Sequence, residues 1–223
     1  EDDKPLKYLR YAIGEIALVV IGILIALQLN SWKELSNQQS KEKEILSDIH
    51  SEFQQNKKQF DEVVSFHQKS FDNVKKIIQL FPIDLKTLQL DSLGHYLNNS
   101  FWRYTFNPTQ SSINALIGTS SFDIISNKEL RKLLISWTDV VADYQEEEIT
   151  AKEIQIKVYE PYFIKHFVGD VDDLNLRDPR MKLQVLTSAE FENIIYGRKN
   201  NLTDILGTEL KTIEATIDRI IML

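Results

Sequence analysis

From Ala12 to Leu29 the chain reads AIGEIALVVIGILIALQL, and this run constrains the fold more than any other feature. Only Glu15 and Gln28 are strongly polar within it, and Ile16 to Leu27 carries no polar side chain. Eighteen residues at about 1.5 Å rise span roughly 27 Å, close to the thickness of a hydrocarbon core. The run therefore predicts a transmembrane helix over residues 12–29. A buried core helix this apolar would need cover on every side, and the sequence offers no second helix of similar character to help provide it. A cleaved signal peptide fits less well. Ile25-Ala26-Leu27-Gln28 offers no small-x-small cleavage site, and helical patterning continues straight on. The expectation is an uncleaved anchor.

The basic flanks give an orientation. Lys4, Lys7 and Arg10 precede the run, whereas Lys33 alone follows within ten residues. By the positive-inside rule the N-terminal segment, residues 1–11, faces the cytoplasm and residues 30–223 lie outside it. Trp32 stands at interfacial height on the outer side, and Tyr8 and Tyr11 on the inner one.

The remainder is expected to be all-α. Among 223 residues Gly is 7 and Pro is 5, too few for a turn-rich β protein. Cys is 0, which excludes a disulfide scaffold and fits an oxidising compartment. The net charge of −7 removes any electrostatic case for nucleic acid.

Periodicity then predicts an up-down helical bundle continuing from the anchor. A first amphipathic helix runs to Phe81, with Ile45, Ile49, Phe53, Phe60, Val63, Val74 and Ile77 among its apolar positions, and Pro82 ends it. A short helix is expected over 84–98. Another follows Asn107-Pro108, read as an N-cap with Pro at the first position, and stops near Gly118. Ser126-Asn-Lys-Glu129 reads as a capping box. The helix it opens has Leu130, Leu134, Trp137, Val141, Tyr144 and Ile149 on its apolar face, and Pro161 kinks or ends it. Residues 169–179 form a polar acidic loop. A second capping box, Thr187-Ser-Ala-Glu190, opens a last helix through Ile221 that Gly197 and Gly207 weaken.

Chemistry is sparse. There is no phosphate-binding glycine loop, CxxC, HExxH or GxSxG. None of His50, His67, His95 and His166 has a His or Cys at ligand spacing, so no catalytic residues and no cofactor are expected. His67 falls beside the apolar stripe and reads as a hydrogen-bonded bundle histidine. Glu146-Glu147-Glu148 reads as a solvated helix face. Asp170, Asp172 and Asp173 crowd one loop and form a weak calcium candidate, although the EF-hand pattern fails there.

The membrane segment carries the sharper signal. At 100° per residue Glu15, Leu18, Gly22, Ala26 and Leu29 share roughly one face. A carboxylate inside a span is costly against lipid and faces protein or water. Gly22-x-x-x-Ala26 is a small-xxx-small pattern that lets helix backbones approach. Together they predict a helix–helix interface with a second copy or another membrane protein. The alternative is a Glu15 that snorkels to the headgroups.

The stretch Tyr11-Ala12-Ile13-Gly14-Glu15-Ile16, running on through Val19-Val20-Ile21-Gly22-Ile23-Leu24-Ile25-Ala26-Leu27-Gln28 to Asn30-Ser31-Trp32, resembles a family. It is similar to uncharacterised single-pass membrane proteins common in Bacteroidota, classified as a domain of unknown function. The resemblance covers a little over a tenth of the chain. It implies the periplasmic face of a bacterial inner membrane and no assigned activity. The functional expectation is a non-enzymatic scaffold or accessory subunit that self-associates or joins a membrane complex through its span. The alternative is a periplasmic ligand-sensing bundle whose output a partner supplies.

Overall fold

The computed structural model describes residues 4–119, 121–170 and 173–223, with side chains from residue 13 onward. Among the described residues the protein is all-α apart from one hairpin of two two-residue strands.

Helix α1, Lys4–Ile78, is a single rod of 75 residues. It crosses the expected boundaries at residues 12 and 30 without a break. Its length at 1.5 Å per residue is roughly 110 Å. Residues 13–41 are exposed, and burial begins with Glu42, Ile45, Leu46 and Ile49. About 18 Å of bare helix therefore separates Leu29 from the first packed turn. Beyond it a buried stripe runs through 49, 53, 56, 60, 63, 67, 70, 74 and 77, with Glu52 and Asn73 buried beside it. The steps alternate four and three, the heptad pattern of a helix packed along its whole length.

Helix α4, Lys128–Ile154, repeats the pattern with 130, 134, 137, 141, 144, 148 and 151 buried. A single wide π-turn, Gln155–Tyr159, joins it to helix α5, Glu160–His166. Pro161, expected to kink or end the helix, instead directly follows the π-turn, and the chain stays helical through it into α5; the wide turn falls where the proline leaves the ladder one N–H short. The last helix is two pieces, α6 at Ala189–Ile205 and α7 at Thr208–Met222, divided at Leu206-Gly207.

α6 and α7 pack against both α1 and α4. Aromatic pairs join the α1 and α4 stripes directly: Phe53 meets Trp137 with centroids 4.8 Å apart, and Phe60 meets Tyr144 at 5.6 Å. These pairs also give the direction, since residue numbers rise together along the two helices. α1 and α4 are parallel, while α6–α7 returns, with Phe81 against Phe191 and Lys57 near Glu214. The descending leg between α1 and α4 is the surprise in this bundle. It is not a helix but an extended strap, residues 100–110, inserted beside both.

Several local expectations are corrected. The first short helix is α2, Leu90–Asn98, because Asp84 bends the preceding residues into a turn: its Oδ1 accepts from Lys86 N at 2.9 Å. Helix α3 starts at Ser111 rather than after Pro108, since Asn56 holds the Thr109 backbone in the strap. Asn127, not Ser126, caps α4, accepting from Glu129 N and Leu130 N; Ser126 instead donates its backbone N–H to Glu42. Ser188, not Thr187, caps α6. The acidic loop holds the hairpin, β1 at Gly169–Asp170 with β2 at Asp173–Leu174. Gly169 has φ +110°, and a Cβ there would lie 2.7 Å from Asp173 O, so the turn requires glycine.

Candidate functional site

Two features stand apart from ordinary core packing. One is a buried polar seam that fastens the strap. The other is the bare segment of α1.

A buried loop needs partners for every N–H and C=O it takes out of water. Here side chains on the inner stripes supply them. Asn56 on α1 meets Thr109 twice: Nδ2 donates to the carbonyl and Oδ1 accepts from the N–H, both at 2.8 Å. Glu52 Oε2 accepts from Ser112 N at 3.0 Å and from the Ser112 hydroxyl at 3.1 Å. On α4, Glu148 Oε2 accepts from Phe106 N at 2.8 Å, and Gln145 Nε2 donates to Phe106 O at 2.6 Å. Gln155, at the start of the π-turn, donates to Phe101 O. Arg198 on α6 donates from Nε to Ser100 O and from a terminal nitrogen to Trp102 O, each at 2.8 Å.

Glu148 also joins the two parallel helices. Its Oε1 lies 2.9 Å from His67 Nε2, and both side chains are almost wholly buried, at 2% and 3% exposure. The two side chains share one hydrogen bond there, its direction set by the histidine tautomer. This corrects the reading of Glu146-Glu147-Glu148 as a solvated face: Glu148 points inward because it falls on the alternating four–three stripe, and Glu147 is half-buried. It also corrects Ile149, which is exposed. His67 is the hydrogen-bonded bundle histidine the sequence suggests.

Burial governs the electrostatics of the seam. It pushes the Arg198 guanidinium down to about 10, so the group stays charged at neutral pH. Burial likewise raises the Tyr144 phenol, reinforced by the Glu148 charge, and pushes Tyr159 up to about 12. The space among His67, Trp102, Glu148, Gln155 and Arg198 is about 10 Å³, on the scale of one water. The seam therefore positions backbone.

Among the described residues no three His, Asp or Glu side chains converge as a metal site would require. Asp170 and Asp173 pair across the hairpin. Of their neighbours, Asn175 accepts from Arg177 N at 3.0 Å and Asp178 is held by Arg180. Asp172 lies outside the described residues.

The bare segment is the second feature. Glu15, Leu18, Gly22, Ala26 and Leu29 all belong to α1 and all are exposed. Nothing approaches within 4 Å of a Cβ built on Gly22. Trp32 is exposed too, at 73%. The side chains of Tyr8 and Tyr11 lie outside the described residues. By length and composition this is a helix able to cross a membrane, and among the described residues none of its apolar window is buried.

The fold and these features define a helical-bundle protein with one long apolar N-terminal helix. The family model described as "Family of unknown function (DUF6090)" matches residues 15–162, and the chain belongs to that family. The match takes in the apolar run from Glu15, the strap, and both His67 and Glu148. No curated protein and no solved structure matches the chain.

Proposed function

We propose that this protein is a single-pass membrane scaffold or accessory subunit with no catalytic role. Residues 12–29 cross the inner membrane of a bacterium, the N-terminus is cytoplasmic, and the bundle stands in the periplasm. One observation carries the proposal: among the described residues nothing packs on the apolar window of α1, whereas the apolar stripe farther along the helix is buried. Lipid covers such a surface without residue. The excess of Lys4, Lys7 and Arg10 over Lys33 supports the orientation.

Within the span, Glu15, Leu18, Gly22, Ala26 and Leu29 form the face that meets another helix, a second copy or a separate membrane protein. Gly22 and Ala26 allow close approach, and Glu15 gains a polar partner it lacks in lipid. The buried seam then serves this role by making the bundle rigid on its stalk. The test is the double variant Glu15→Leu with Gly22→Leu. Cross-linking in membranes and native mass in mild detergent are both expected to lose the associated species. Profiles identical to the original chain would overturn the proposed face.

A further inference from the structure

One exposed surface of the bundle is patterned like an interface. Ile135, Ala142, Ile149 and Ile156 follow one another at intervals of seven along α4 and into the π-turn. All four are exposed, the isoleucines at 58%, 49% and 46%. They sit one residue after the inward positions 134, 141, 148 and 155, so the helix carries two heptad stripes, one packed and one bare. The π-turn adds one residue to its turn, and the next exposed isoleucine comes eight residues on, at Ile164, 71% exposed. The stripe thus continues into α5. Scattered surface isoleucines need no explanation. A seven-residue repeat of apolar residues, three of the four β-branched, keeps one narrow face of a helix turned toward a partner along its length.

We propose that this stripe packs against the same stripe of a second copy of the chain, with the two α4 helices parallel. Two observations choose a second copy. First, α4 runs parallel to α1, so two chains anchored in one membrane by the same end of α1 present their α4 helices in parallel. That clause rests on the membrane-anchored reading above. Second, the flanks complement each other across a two-fold axis. Asp139, Glu146 and Glu153 lie on one side of the stripe, and Thr138, Gln145 and Lys152 on the other. In a parallel pair the acidic flank of each copy faces the neutral and basic flank of its neighbour, and Glu153, which holds Lys157 of its own helix at 2.6 Å, also comes opposite Lys152. An antiparallel pair would set like flanks against each other.

The absence of cysteine gives a clean test, because one introduced thiol per chain is the only one present. Ile149→Cys and Ile156→Cys are made in the full-length chain, with Asp143→Cys and Thr150→Cys as exposed positions about 100° off the stripe. Membranes are oxidised with copper phenanthroline. The stripe variants are expected to give a disulfide-linked dimer of twice 26.0 kDa in at least tenfold greater yield than the off-stripe pair. Equal yields at all four positions, or no dimer at 149 and 156, would overturn the proposal. Cross-linking of mixed Ile135→Cys and Ile156→Cys chains in preference to matched ones would overturn the parallel arrangement. Repeating the experiment with Glu15→Leu and Gly22→Leu in the same chain separates the two interfaces. Persistence of the 149 cross-link in that variant supports the stripe as an interface in its own right, and its loss there would overturn the stripe as a contact separate from the span.

Discussion

His67 on α1 and Glu148 on α4 meet at 2.9 Å in the middle of the bundle, 81 positions apart in the chain. The same carboxylate accepts from Phe106 N, so three segments depend on one side chain. Glu148→Ala strands the buried Phe106 N–H and the buried His67 ring and is expected to cost about 3–5 kcal/mol, read as a lower urea midpoint with unchanged slope. A His67→Leu, Glu148→Leu chain should recover part of that loss and not all of it, because the Phe106 N–H stays without an acceptor. A Glu148→Ala midpoint within about 0.5 kcal/mol of the parent would show that the pair carries no weight.

The strap makes a separate prediction. Asn56 binds Thr109 as one peptide group binds another, by both donor and acceptor. Asn56→Leu keeps the branched outline and removes both bonds, for an expected loss of about 2–3 kcal/mol. Hydrogen exchange should show Phe106 and Thr109 amides protected in the parent, despite their lying outside any helix, and Thr109 opened in the variant.

Glu147 runs the other way. Burial raises its carboxyl pKa, and the charges of Asp204, Glu209 and Glu146 add to the rise. A carboxylate raised on folding binds more protons in the folded state than in the unfolded one, so stability falls as pH climbs through that window. The penalty is complete above the folded-state value and absent below the ordinary one near 4.5. Glu147→Gln should therefore raise Tm by about 1–3 °C at pH 7, and the gain should vanish by about pH 4. A gain that persists unchanged in acid would point to packing.

Gly197 on α6 is held close to α5's approach. A Cβ there would lie 2.8 Å from the Tyr159 hydroxyl, which itself donates to Asn201 at 2.7 Å. Gly197→Ala should cost about 1–3 kcal/mol by overpacking. Tyr159→Phe removes the obstructing oxygen, so the double variant should be less damaged than the sum of the single ones, a coupling that a double-mutant cycle measures.

The helices were legible from spacing alone, and so was the apolar run, because both are periodic signals that need only one dimension. The strap was not. Its residues, Phe101 to Thr109, have no period, and their partners Asn56, Glu148, Gln155 and Arg198 are distant in the chain. One signal was available for part of it. Counting four and three from Leu130 lands on Glu148 and then Gln155, which marks two polar residues as inward-facing. Charge argued for solvent, and position argued for the core; position wins because the strap supplies buried donors. The same counting turns Ile149 outward, against its apolar character. Caps were misplaced by a single residue at Ser126 and Thr187 because each neighbour, Asn127 and Ser188, is an equally good cap by type.

The central claim is that residues 12–29 span a membrane and hold the bundle outside it. Single cysteines at Lys4 and Ser36 in the cysteine-free chain, treated on intact cells with a membrane-impermeant maleimide, test it most directly. The account predicts that the chain stays in the membrane pellet after alkaline carbonate, with Ser36→Cys labelled and Lys4→Cys protected until the cells are opened. Extraction by carbonate, or labelling at Lys4→Cys with Ser36→Cys protected, would contradict it.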